Sequence, residues 1–72
     1  MGVGGMSEAH EFIRLSHIRY GDTLVRVSCI VAIHQADESS RTIVRLSTGE
    51  SLTVDEPFPV VSSLLKQALG LP

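Results

Sequence analysis

Tryptophan is absent, tyrosine occurs once and phenylalanine twice. The chain therefore has little material for the aromatic-lined cleft that most small-molecule sites use. Cysteine is almost missing. Cys29 stands alone, which rules out an internal disulfide, and three scattered histidines (His10, His17 and His34) add no paired-ligand spacing for zinc. No metal or cofactor is expected. No apolar run reaches membrane-spanning length. Met1 to Gly5 lacks the charged start and apolar core of a secretion signal. With a single cysteine, which fits a reducing compartment, these absences point to a cytoplasmic protein.

Positive charge is also scarce. Six Arg and Lys stand against eight Asp and Glu, for a net charge of −2. Nucleic-acid binders tend to be basic, so this balance disfavours that role. A chain of 72 residues makes one domain and buries only about 60% of its unfolded surface. Small scaffolds compensate with disulfides, a metal or a partner chain. The first two are eliminated here, and oligomerisation remains.

What is present reads mostly as strand. Residues 1–10 are Gly-rich and aperiodic and are expected to be a disordered extension, with one small β-rich domain over 11–72. Ile13 to Ser16 alternates apolar and polar. Tyr20-Gly21-Asp22 signals a turn. Leu24 to Val27 and Ile30 to Ile33 read as strands with a break at Ser28-Cys29, and Ala36 to Ser40 reads as a loop. Thr42 to Leu46 and Ser51 to Val54 complete five strands. A two-residue loop between the last pair would scramble the faces. The three-residue loop Ser47-Thr48-Gly49 sets Val44 opposite Leu52 and Arg45 opposite Ser51, with Gly49 where a bulged turn needs positive φ.

The C-terminal segment reads as a helix over about 58–69. Val61, Leu64, Leu65, Ala68 and Leu69 form one apolar stripe. Asp55 or Glu56 precedes it, Pro57 and Pro59 suit its first turn, and Gly70 suits the position just past its end, where Leu71 could fold back. The expected fold is α+β, mostly β: a small antiparallel sheet or partly open barrel of about five strands, one face covered by the helix.

Three strands repeat one pattern of apolar, apolar, Arg, apolar: Phe12-Ile13-Arg14-Leu15, Leu24-Val25-Arg26-Val27 and Ile43-Val44-Arg45-Leu46. Alternation sends Ile13, Leu15, Val25, Val27, Val44 and Leu46, with Leu52 and Val54, to the core under the helix. Phe12, Arg14, Leu24, Arg26, Ile43 and Arg45 then share the other face. A half-exposed antiparallel sheet is normally polar there. Arginine beside large apolar residues is the composition of a protein interface. The competing reading is an ordinary solvated face whose arginines pair loosely with Glu11, Glu50 or Asp55.

No catalytic constellation emerges. His17, His34 and Asp37 come without an activated nucleophile, and no G-x-S-x-G is present. Cys29 adjoins Ile30 and Val31 and reads as a buried, inert thiol. Ser47-Thr48-Gly49-Glu50 lacks the second glycine and the lysine of a phosphate loop. Asp37-Glu38 lacks the spacing of a calcium loop.

The early I-x-L strand (Ile13, Leu15), the I-x-x-I segment (Ile30, Ile33), the T-G hairpin (Thr42 to Val54) and the helix ending at Leu69 resemble the FlbD family. These are short flagellar-associated bacterial proteins, and the likeness covers about 57 residues. It implies a protein without an active site. Val25 to Ile33 is also similar to the central strand segment of LytTR-type DNA-binding domains. The leading expectation is a non-enzymatic module that binds another protein or a second copy of itself. The alternative is a small nucleic-acid-binding regulator using the same arginines.

Overall fold

The computed structural model describes residues 12–37 and 40–70. The expectations for residues 1–10, Glu11 and Leu71 lie outside them. The elements are β1 (Phe12–His17), β2 (Gly21–Arg26), a 3-10 turn (Val27–Cys29), β3 (Ile30–Gln35), β4 (Thr42–Leu46), β5 (Ser51–Val54) and α1 (Phe58–Leu69). All strand pairs are antiparallel, in the order β2-β1-β5-β4-β3. The molecule is thus a mostly-β α+β fold: an open five-stranded sheet with one C-terminal helix.

The β4–β5 hairpin follows directly from its sequence. Val44 faces Leu52 and Arg45 faces Ser51. The Gly49 N–H donates to the Leu46 carbonyl at 2.9 Å, and the Leu46 N–H donates to Glu50 at 2.8 Å. Gly49 has φ 99°, the left-handed value that this turn requires.

The first hairpin corrects the sequence reading. Its turn occupies residues 18–20, and Gly21 (φ 80°) already begins β2, which ends at Arg26. The side chain of His17 explains the early start. Its Nδ1 accepts N–H bonds from Arg19 at 2.9 Å and Tyr20 at 3.3 Å, closing the turn from within. Val27 leaves the strand for the 3-10 turn yet stays buried.

The core consists of Ile13, Leu15, Val25, Val27, Val44, Val54 and Val61. Ile30, Ile33, Leu46, Leu52, Leu64, Leu65 and Ala68 pack against it. Fully burying a side chain of this size contributes roughly 1.5–3 kcal/mol, so this layer dominates the stability of the fold. The α1 helix lies over β1 and β3. Leu69 does not join its stripe and is 59% exposed. It sits about 80° around the helix from Val61, at the margin of the buried arc.

The start of the helix also departs from expectation. Pro57 caps it without a side-chain hydrogen bond, and no acid occupies the first turn. Glu56 has another task. Both its carboxylate oxygens accept the Ser16 N–H, at 2.9 and 3.0 Å. β1 and β5 share only the pair His17–Val54, flanked by bonds from the Asp55 N–H to Ser16 and from the Ile18 N–H to Thr53. Glu56 therefore extends this short seam with a side chain where the backbone ladder ends. Thr42, fully buried at the start of β4, donates its hydroxyl to the Glu56 carbonyl at 2.7 Å. Cys29 is only half-buried, because the 3-10 turn lies at the rim of the core.

Candidate functional site

Register fixes which side chains share the open side. Phe12 faces Arg26 and Arg14 faces Leu24 across β1 and β2, so these four residues form one cluster. Each alternates with a buried neighbour: Ile13 and Leu15 on β1, Val25 on β2. Phe12 is 43% exposed and Leu24 67% exposed. The Arg26 guanidinium lies 4.9 Å from the centre of the Phe12 ring, a cation–π stack that holds a charge over an otherwise open apolar surface.

Ile43 and Arg45 point to the same side, but not to the same place. His17, Val54 and Thr42 lie level across β1, β5 and β4. Arg14 stands on one side of that level and Arg45 on the other, about 20 Å apart along the strands. Ile43 lies between Thr53 and His34, and is half-buried. Of the six residues singled out in the sequence, the fold brings four together and leaves two elsewhere.

Of the carboxylates suggested as partners, Asp55 is engaged elsewhere and Glu11 lies outside the described residues. Asp55 pairs with Arg41 at 3.1 Å. Among the described residues no ion pair involves Arg14 or Arg45.

A second feature was not legible in the sequence. The first turn and β5 enclose an open depression of about 370 Å³ lined by His17, Arg19, Tyr20, Glu50, Ser51 and Thr53. His17 and Tyr20 stack there with ring centres 4.7 Å apart. Since Nδ1 of His17 accepts hydrogen bonds, the neutral ring carries its proton on Nε2. Only the β1–β5 pairing joins these residues, and that pairing has no local sequence signal.

Among the described residues, no group of three or more His, Cys, Asp or Glu side chains is placed to hold a metal ion. No described helix is long and apolar enough to cross a membrane. No family model matches the chain, and neither the curated proteins nor the solved structures contain a match.

Proposed function

We infer that this chain is a non-enzymatic interaction module that self-associates through the cluster of Phe12, Arg14, Leu24 and Arg26. The observation that carries this reading is the exposure of Phe12 and Leu24 beside two guanidiniums at an outer strand of the sheet. Apolar anchors with arginine, set against a thin core, suit a surface that another chain covers. The shared order of strands, hairpin and helix supports a FlbD-like assignment. A bacterial, cytoplasmic setting and the lack of catalysis go with it.

Light scattering tests the proposal. The double variant Phe12→Ser/Leu24→Ser is expected to lose the oligomeric mass of the parent, while Arg45→Ser keeps it. A double variant that retains the parent mass overturns the reading.

Arg14 and Arg45, which make no ion pair among the described residues, favour one second reading, a nucleic-acid contact. Phosphate contacts would make affinity fall steeply with salt, whereas an apolar contact is nearly insensitive. A gel shift at low salt that disappears at higher salt supports it. No shift at low salt removes it.

A further inference from the structure

We propose that two copies of this chain join edge to edge, β2 against β2, antiparallel about a two-fold axis at Leu24. This rests on the self-association inferred above and narrows its direct contact to the β2 members of that cluster, Leu24 and Arg26. Among the described residues, β2 has β1 as its only neighbour and β3 has only β4, so the sheet has two free edges. The β3 edge is irregular, with the register to β4 slipping between Ile30 and Ala32. Such a bulge disrupts the regular row of backbone groups that a new strand needs. The β2 edge pairs with β1 without a slip from Gly21 to Arg26.

The backbone of β2 is oriented for this pairing. The Ser16 N–H goes to Glu56, and the Ser16 carbonyl accepts from Asp55, so Ser16 turns its peptide groups toward β5. By alternation Ile13, Leu15 and His17 turn theirs toward β2. Their partners Val25, Thr23 and Gly21 point back at β1. By the same alternation the N–H and C=O groups of Asp22, Leu24 and Arg26 turn the other way, toward the outer side of β2. Centring a second copy on Leu24 makes Leu24 exchange both bonds with Leu24 of that copy. Each Asp22 then lies opposite Arg26 of the other chain.

The side chains agree with this register. Asp22, Leu24 and Arg26 all lie on the open face, opposite Ser16, Arg14 and Phe12. The two Leu24 side chains meet on the axis, which covers the most exposed large apolar residue of the cluster. On each flank the row runs Phe12, Arg26, then Asp22 of the second copy. A guanidinium offers five donors, so Arg26 can meet that carboxylate while keeping its stack on Phe12 and its other contact within its own chain. The two Arg14 side chains are separated by three strand spacings, about 14 Å, beyond the screening length at physiological salt. On the helix side Thr23 and Val25 come opposite each other, so the inner layer also continues across the joint.

Charge reversal tests the register. In Asp22→Arg, arginine faces arginine at both flanks, and in Arg26→Asp, aspartate faces aspartate. Like charges directly opposite are destabilising, and each variant is expected to dimerise at least tenfold more weakly than the parent by analytical ultracentrifugation. Mixing the two variants restores opposite charges at both flanks, so a heterodimer near parent affinity is expected. The double variant Asp22→Arg/Arg26→Asp should also recover, and circular dichroism confirms that each variant is folded. A parent that dimerises while the mixture shows no recovery overturns edge pairing and leaves self-association standing. A parent that is monomeric at every concentration overturns both.

Discussion

The β1–β2 ribbon and the β3–β5 meander carry the same four-residue pattern and show different surfaces. Leu24 and Ile43 occupy equivalent positions in it, yet Leu24 is exposed and Ile43 half-buried. The difference lies in strand order. β2 has one neighbour, so nothing among the described residues flanks Leu24 on its outer side. β4 has two, and Ile43 is flanked by His34 and Thr53. An apolar residue on the uncovered side of a sheet is sheltered by its lateral neighbours, and an edge strand supplies half as many.

This contrast is sharpest in a pair of leucine truncations. Leu15→Ala should cost about 3 kcal/mol, because Leu15 is fully buried and its removal leaves a cavity. Leu24→Ala should change the stability of the monomer by less than about 0.5 kcal/mol, as for surface positions generally. Urea denaturation of both variants at low protein concentration checks the pair, and similar losses would erase the distinction between the two positions.

The joint between ribbon and meander is the next place to break the comparison. Glu56→Ala strips the Ser16 N–H of its acceptor and should cost about 2 kcal/mol. Hydrogen exchange is then expected to rise in β1 and β2 before β4 and β5, since the meander keeps its own ladder. A uniform rise would mean that the sheet opens as one unit. The turns come third. Gly49→Ala forces a side chain into a left-handed conformation and should cost about 1 kcal/mol in thermal denaturation. Smallest is Arg41→Ala. It breaks an ion pair whose side chains are half-exposed, and the change should stay under about 0.5 kcal/mol in the same assay.

Local signals made the meander and the helix readable. Thr-Gly at a hairpin, alternation in β4 and β5, and Pro57 with Gly70 bounding α1 all act within a few residues of where they are found. What escaped acts over distance. Glu56 reaches back across the sheet to Ser16, a separation of 40 residues, instead of serving the helix beside it. Thr42 shares the parity of Val44 and so belonged to the core face, but its hydroxyl disguised it until its acceptor on Glu56 was visible. His17 disguised the first turn in the same way, by supplying from a side chain the acceptor that a backbone carbonyl usually provides. The six residues singled out for the open side were selected by parity alone. Parity assigns a side and carries no information about position along it, which is why Arg45 stands apart from Arg14.

Val31, at the kink in the far edge, is 63% exposed although it is a β-branched apolar residue. A sheet with two straight, sticky margins would polymerise without limit, each added molecule presenting a fresh template. One ragged margin stops that growth. In the edge pairing proposed above, the misfit at Val31 would act as a terminator, since a closed pair would present no second straight margin to extend.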